Sequence, residues 1–143
     1  MTQVAGCELC ALAAPAVFEN EKFAVILVDD ANYPGFARVI WKDHVREVSD
    51  LADEDRLLLN DAVWTLELAV REVMAPLKVN VASLGNVVPH LHWHVIPRYA
   101  DDAHFPAPVW AQAVRATPAD VLAGRHALLA ELGRAITRRF ASR

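Results

Sequence analysis

The sequence has few of the residues on which small proteins rely when they cannot build an apolar core. Two of its 143 residues are cysteines and five are glycines, which excludes a disulfide scaffold and a glycine-rich fibrous chain. A chain of this length is expected to bury roughly 68% of the surface that its unfolded form exposes. We therefore expect an ordinary hydrophobic core and a single domain over residues 1–143.

Long apolar runs and an excess of basic charge are also missing. No apolar run approaches the ~18 residues that cross a bilayer, and residues 1–16 lack the basic and apolar regions of a signal peptide. Fourteen basic side chains stand against 18 acidic ones, and a net charge of −4 disfavours a broad nucleic-acid interface. We expect a cytoplasmic protein that binds neither membrane nor nucleic acid.

Four short stretches rich in valine, isoleucine and aromatic residues predict β-strands. Turn residues bound these stretches, and Gly85-Asn86 is a candidate turn between the last two. The predicted strands cover residues 23–28, 36–41, 79–84 and 91–97.

Two segments have the pattern of helices. Over residues 51–74, apolar side chains recur at steps of three and four, which predicts an amphipathic helix capped by Ser49 or Asp50. Thr117-Pro118 predicts the start of a second helix, which would run to about residue 140. The whole pattern predicts an α+β fold in which an antiparallel sheet packs with one long central helix and a C-terminal helix.

The most informative stretch places three histidines at alternate positions, His90, His92 and His94. On a strand they would point to one face, with neighbours roughly 6.6 Å apart and the outer pair about 13 Å apart. One metal ion could not bind all three, because zinc–nitrogen bonds are about 2.0–2.1 Å long. Either two of them share a metal, or the three divide the work of a nucleophile, an orienting group and an oxyanion partner.

The two cysteines, Cys7 and Cys10, form a single C-x-x-C sequence. In a reducing compartment this spacing is typical of a redox pair or of half a zinc site, and a structural disulfide is not expected. The redox interpretation is the weaker one, because thioredoxin-like motifs lie at a strand-to-helix junction and this pair precedes the first predicted strand.

Residues 90–98, His-Leu-His-Trp-His-Val-Ile-Pro-Arg, resemble the H-φ-H-φ-H-φ-φ motif of the histidine triad (HIT) superfamily, where φ is apolar. The resemblance covers about residues 5–100 and leaves residues 101–143 as a C-terminal extension with a helix. Further features follow in the order typical of the family, namely Cys7-x-x-Cys10, Asp29-Asp30, Pro34-Gly35 and Lys42-Asp43-His44.

The resemblance implies a HIT-like fold, a homodimer, and hydrolysis or transfer at the α-phosphate of a nucleotide through a covalent nucleotidyl-histidine. It makes His92 the nucleophile and places His94 against the phosphate oxygens. The backbone carbonyl of His90 would orient His92. Asp29 or Asp30 would accept hydrogen bonds from the ribose. The substrate could be a dinucleoside polyphosphate, a nucleoside phosphoramidate or an adenylate.

The resemblance also implies a structural zinc ion. Some members of the superfamily bind zinc with a C-x-x-C pair, the histidine after the second strand and the first histidine of the triad. The corresponding residues here are Cys7, Cys10, His44 and His90. Two sulfur and two nitrogen ligands would form a closed tetrahedral site.

Two departures from the family pattern bear on catalysis. Phe36 stands where many members have a fourth histidine after Pro-Gly, and Val87 lacks the hydroxyl that can assist the leaving group. Strand alternation would put Arg38 on the same face as Phe36, where it could bind phosphate, with Asn86 as a further contact. The departures favour one alternative, a HIT-fold nucleotide-binding or regulatory protein with little catalysis. A zinc-dependent hydrolase with His92 and His94 as metal ligands is a second alternative.

Overall fold

The structure is a computed structural model that describes residues 2–142. Within that range, five antiparallel strands form a single sheet in the spatial order β1-β2-β3-β5-β4. The strands are β1 (Phe18–Glu19), β2 (Phe23–Leu27), β3 (Ala37–Trp41), β4 (Lys78–Ala82) and β5 (His92–Arg98). The predicted α+β class and antiparallel sheet are confirmed. The two-residue strand β1 was not predicted.

Three α-helices accompany the sheet in the described part of the chain: α1 (Asp53–Met74), α2 (Ala119–His126) and α3 (Leu129–Ala141). No helix among residues 2–142 is both long and apolar enough to cross a membrane. The predicted cap of α1 was wrong, because Ser49 and Asp50 lie in a separate 3-10 turn and Ala52 is the N-cap residue. Three acidic residues in the first turn favour the positive end of the helix dipole instead.

The predicted C-terminal helix is present but interrupted, because residues 127 and 128 separate α2 from α3. The α3 helix buries an apolar face against α1, whereas α2 has no buried residue and lies beside the β2–β3 loop. The predicted Gly85-Asn86 turn is part of a longer loop over residues 83–91, so His90 precedes β5.

The sheet has two different faces because side chains alternate along each strand. One face packs against α1 and α3, and Trp41, Val95 and Leu66 belong to the core on this side. The opposite face carries His92 and His94 on β5. It is the face on which the candidate site lies, and we refer to it as the site face.

Two segments cover the site face at separate places. The N-terminal arm (residues 2–16) packs Leu9 onto Ile26 and Ile40, and the strap (residues 99–117) packs Val109 against a cluster that contains Phe36. Along β3, Arg38 lies between Ile40 and Phe36 on the same face, so it occupies the strip between the two covering segments.

The turn that leads into β3 depends on a glycine. Gly35 has φ = 93°, a conformation that residues with a Cβ rarely adopt. A Cβ at this position would also lie 2.9 Å from the side chain of Met74 at the end of α1. The turn therefore approaches α1 closely and directs Phe36 and Arg38 onto the site face.

Candidate functional site

His92 is held in a defined tautomer by its neighbour. The Nδ1 of His92 lies 2.6 Å from the backbone carbonyl of His90. A carbonyl can only accept a hydrogen bond, so Nδ1 carries the proton and Nε2 keeps its lone pair. Burial lowers the pKa of His92, the bond to the carbonyl raises it, and Arg38 lowers it again, with a net decrease. The ring is therefore neutral near pH 7, with Nε2 available as a nucleophile.

His94 is paired with Arg38 across two strands. Arg38 and His94 are partners in the β3–β5 register, and the Arg38 Nε donates to the His94 Nδ1 at 3.3 Å. The proton of the His94 ring is thus on Nε2. Burial, followed by the charges of His92 and Arg38, lowers the pKa of His94 to about 4. Arg38 therefore supplies the positive charge here, and His94 supplies a neutral N–H donor.

Two aromatic side chains contact the ring of His94. Buried Phe36 meets it edge-on at 5.7 Å between ring centroids. Trp110 of the strap meets it at 5.1 Å and an interplanar angle of 69°. The histidine that the family often has at position 36 is thus replaced by an apolar wall. The replacement at position 36 is visible in the sequence. The contact of Trp110 is not, because Trp110 lies far from the triad along the chain.

Four potential ligand side chains, two of them from the arm, lie close together beside the site. Cys7, Cys10, His44 and His90 each offer one ligand atom, and these atoms lie within 4.8 Å of one another. The Nδ1 of His90 lies 3.4 Å from the Cys7 Sγ, 3.5 Å from the Cys10 Sγ and 3.1 Å from the His44 Nδ1. The Nε2 of His90 donates to the carbonyl of Trp41, which leaves Nδ1 free to act as a ligand.

The cluster fits a zinc ion in both chemistry and size. Two thiols and two imidazoles are a frequent structural zinc set, with bonds of about 2.3 Å to sulfur and 2.0–2.1 Å to nitrogen. The edges of such a tetrahedron measure about 3.3–3.8 Å. Four of the six separations between ligand atoms are 3.1–3.5 Å, close to these edges, and all six are within 4.8 Å. The structure thus brings together all four residues that the resemblance singled out.

A buried ion pair fastens the strap at the other end of β5. The Arg98 Nε donates to the Asp102 Oδ2 at 2.8 Å, and both side chains are almost fully buried. The Asp102 carboxylate also accepts hydrogen bonds from three backbone N–H groups of the strap and from the Tyr33 hydroxyl. Burial raises the pKa of Asp102, but Arg98 and the backbone donors lower it to well below its usual value.

Arg98 completes the connection between sheet and strap. Its Nη1 donates to the Asn80 Oδ1 on β4 at 2.6 Å, and its Nη2 donates to the Ala107 carbonyl at 2.7 Å. In addition, the Arg115 Nη1 donates to the Asp102 carbonyl at 2.7 Å. The strap is therefore held at several points along its length. No signal in the sequence beyond the Pro-Arg continuation of the motif indicates this network.

The predicted ribose ligands lie away from the histidines. Asp29 and Asp30 are in the β2–β3 loop and line a cleft of about 630 Å³ with α2, which none of the triad histidines lines. The Asp30 Oδ1 accepts from the backbone N–H of Asn32 at 3.0 Å. The contact of either carboxylate with ribose stays a prediction.

The loop before the triad is exposed. Asn86 is on the surface and Val87 is 92% exposed, and both line a small cleft with Arg46. A larger cleft of about 700 Å³, lined by Ser83, Gly85 and Arg46, reaches His92. Space for a ligand is therefore present directly beside His92, whereas the contact of Asn86 with phosphate stays a prediction.

Comparison with known proteins agrees with this geometry. The model of the HIT domain matches residues 12–101. The chain is 31% identical over 111 residues to "Protein hit" of Bacillus subtilis (strain 168), with 73% of this chain and 76% of that protein covered. A solved histidine triad protein from Bradyrhizobium japonicum superposes with a TM-score of 0.69 at 26% identity, covering 87% of this chain and 89% of that one.

A further solved structure that is similar in fold contains zinc. It is a zinc-bound histidine triad family protein from Mycobacterium smegmatis, with a TM-score of 0.65 and 23% identity, covering 96% of this chain and 98% of that one. At this identity the likeness extends to the fold alone.

Proposed function

This chain belongs to the HIT domain family, and we propose that it is a nucleotide hydrolase or nucleotidyl transferase that forms a covalent intermediate on His92. The observation that carries the proposal is the hydrogen bond between the His92 Nδ1 and the His90 carbonyl. It keeps the proton on Nδ1 and the lone pair on Nε2, which is the state that an attacking imidazole needs.

The proposed reaction takes place in two displacements at the α-phosphorus. The His92 Nε2 forms a bond to phosphorus as the bond to the leaving group breaks, and water or another acceptor then displaces His92 and releases the nucleotidyl group. Arg38 and the Nε2–H of His94 would hold the non-bridging oxygens, because a guanidinium and a neutral N–H donor both stabilise phosphoryl charge.

Substrates whose leaving groups need no proton donor should be turned over fastest. Phe36 offers no proton donor at the position of the fourth histidine, and Val87 has no hydroxyl. Among dinucleoside polyphosphates, nucleoside phosphoramidates and adenylates, we expect the fastest turnover where the departing group is already a stable anion. A panel of these three substrate types ranks them directly.

Trapping the intermediate tests the proposal most sharply. Wild-type protein mixed with a labelled substrate and quenched rapidly should yield an acid-labile nucleotide adduct. His92→Asn should yield none and should lose turnover, while its affinity for a nucleoside monophosphate stays within about tenfold, or 1.4 kcal/mol. A variant that keeps most of the wild-type rate, or a wild type without adduct, would refute the covalent mechanism.

A second candidate is a nucleotide-binding or regulatory protein with little catalysis. The apolar wall of Phe36 favours it, because the ring occupies the place of a potential phosphate ligand. Tight binding of a nucleoside monophosphate without turnover of any of the three substrate types would support this candidate. A zinc-dependent hydrolase is less well supported, because the ligand cluster found among residues 2–142 includes neither His92 nor His94.

For the metal, we propose a structural zinc ion held by Cys7, Cys10, His44 and His90. The donor set, its separations and the zinc-bound relative support this assignment. The ion would join the arm to the loop in front of β5 and thereby support the His90 carbonyl that orients His92. Metal analysis of protein never exposed to chelator should find close to one equivalent of zinc, and less than about one-tenth would contradict the site.

A homodimer is the proposed assembly, supported by the resemblance and by an apolar surface at one edge of the sheet. The edge strand β4 exposes Val81, and the segment just before it exposes Leu77. Edge strands with unpaired backbone groups readily pair with a second copy. Sedimentation should show a species of twice the 15.8 kDa chain mass at micromolar concentration, and a monomer alone would refute it.

The ribose and loop contacts remain proposals from the resemblance. Asp29 or Asp30 would accept hydrogen bonds from ribose hydroxyls, and Asn86 would contact the phosphate. Of the variants Asp29→Asn and Asp30→Asn, the one that removes the ribose ligand should weaken a ribonucleotide more than its 2′,3′-dideoxy analogue. Equal effects on both ligands would show that neither carboxylate contacts the ribose hydroxyls.

A further inference from the structure

The strap places a large aromatic side chain, Trp110, beside the site. The histidine motif does not predict this side chain. The indole of Trp110 lies 5.1 Å from the ring of His94, centroid to centroid, and half of the Trp110 side chain is exposed. Scattered exposed aromatic residues are ordinary on protein surfaces. An exposed indole seated beside a buried histidine of a candidate phosphate site is a more specific arrangement.

The backbone holds Trp110 at the tip of a short turn. The N–H of Ala111 donates to the Pro108 carbonyl at 3.0 Å, so Val109 and Trp110 are the two central residues of the turn. Val109 packs inward against the cluster around Phe36. Its neighbour Trp110 remains at the surface, next to His94.

The turn is fixed on both sides along the chain. Before it, the Arg98 Nη2 donates to the Ala107 carbonyl, and after it the N–H of Val114 donates to the Ala103 carbonyl at 2.8 Å. Asp102 anchors the same segment through its buried carboxylate. The position of the indole is thus set before any ligand arrives, which reduces the entropy lost on binding.

We propose that Trp110 is a ligand-contacting residue that stacks on the nucleobase of the nucleotide bound at His92. The inference rests on the proposed function, because it takes Arg38 and His94 as the phosphate contacts. A nucleotide whose phosphate contacts His94 extends over a longer distance than the 5.1 Å between the two rings. Its base is therefore able to reach the indole, and every base has a π-face that can stack on it.

A stacking role and a merely structural role for Trp110 predict different effects on ligand affinity when the side chain is removed. A residue that only shapes the strap would affect all phosphate ligands alike when it is removed. A stacking residue affects ligands that carry a base and spares those that do not. Adenosine monophosphate and ribose 5-phosphate form a suitable pair of probes, since they share the phosphate and sugar and differ in the base.

Calorimetric titration of the full-length protein with the two probes tests the proposal. Wild type should prefer adenosine monophosphate, and Trp110→Ala should weaken that ligand roughly tenfold while ribose 5-phosphate changes by less than about twofold. Trp110→Phe should retain most of the preference because it keeps an aromatic face. Equal weakening of both ligands, or an unchanged affinity for adenosine monophosphate, would overturn the stacking role.

Fluorescence gives an independent readout with a matched control. Adenosine monophosphate should change the tryptophan emission of wild type, and Trp110→Phe should lose that change. Trp64 on α1 has a similar exposure, 52% against 51% for Trp110, and lies on the opposite side of the sheet. Trp64→Phe should keep the change, and its loss in this variant, with retention in Trp110→Phe, would contradict the proposal.

The trapped adduct on His92 separates this inference from the proposed function. Wild-type protein that forms the adduct but does not distinguish adenosine monophosphate from ribose 5-phosphate overturns the stacking role alone. Protein that binds neither probe and forms no adduct overturns both.

Discussion

The arm and the strap fasten to the two ends of the same strand by different chemistry. At the start of β5, Cys7 and Cys10 meet His90 through thiols and neutral imidazole nitrogens. At its end, Arg98 and Asp102 meet as full charges with six donors on one carboxylate. The arm side consists of groups that bind one another weakly and a metal strongly. The strap side is complete without any added ion.

The difference predicts which connection depends on conditions. Buried charges in a low-dielectric environment are strongly destabilising unless they are paired and hydrogen-bonded, and the strap network satisfies this condition with the residues of the chain. The ligands on the arm hold together firmly only through a shared ion. Variants on the strap should therefore destabilise the protein under all conditions, and variants on the arm chiefly where zinc is present.

The largest expected effect follows from removing the charge of Asp102. Asp102→Asn leaves the buried Arg98 guanidinium without its counter-charge, and the free energy of unfolding should fall by about 3–5 kcal/mol in urea titration. The expected loss comes from a buried charge without a partner. The double variant Arg98→Met with Asp102→Leu removes both charges, so its free energy of unfolding should fall less than that of Asp102→Asn. A single-variant loss below about 1 kcal/mol would mean that the strap is fastened by other contacts.

Removing zinc should have the next largest effect. With free zinc at 100 times its dissociation constant, the ion stabilises the folded chain by about 3 kcal/mol, and chelation should remove this contribution. The variant Cys7→Ser with Cys10→Ser should be insensitive to the chelator. If chelation leaves wild type unchanged, the apolar contact of Leu9 with Ile26 and Ile40 is sufficient to hold the arm.

Acid should weaken the fold through His94, which lies between the two connections. The pKa of His94 is lowered to about 4 in the folded chain, against about 6.5 when unfolded. Between these two values the unfolded chain takes up about one proton that the folded chain does not, so stability falls as the pH is lowered from 6.5 to 4. Above pH 6.5 the His94 ring is unprotonated in both the folded and the unfolded chain, so it no longer makes stability depend on pH.

Unfolding curves measured at several pH values check this dependence. The pKa of Asp102 is lowered, so its contribution is lost only at more acidic pH and stays constant in this window. His94→Asn should reduce the slope of stability against pH relative to wild type. An equal slope in the two proteins would show that His94 is not the group responsible.

The smallest effect is expected at the neighbouring ion pair, which is only partly buried. Asp101 is 46% exposed and pairs with Arg125 of α2 at 2.7 Å. Asp101→Asn should change the free energy of unfolding by less than about 1 kcal/mol, because water screens the pair. This variant is the matched control for Asp102→Asn, and a similar loss in both would contradict a difference between fully and partly buried charges.

Local patterns in the sequence predicted most of the fold and one side of the site. The alternation of His92 and His94 predicted a strand, and the structure places both on one face. The spacing of Cys7 and Cys10 marked a ligand pair, and the resemblance added His44 and His90. These predictions succeeded because the periodicity of a strand and the geometry of a C-x-x-C turn depend on residues close together in the chain.

The break between α2 and α3 and the position of Trp110 were decided only by the tertiary structure. Both depend on where distant elements pack, since α3 lies on α1 and the strap lies on the Phe36 cluster. The sequence by itself determined the sheet, the long helix, the family and the nucleophile candidate, through local periodicity and a specific motif. Asp102 acquired its role when folding buried it against Arg98, because the strength of a charge pair depends on a burial that no local pattern records.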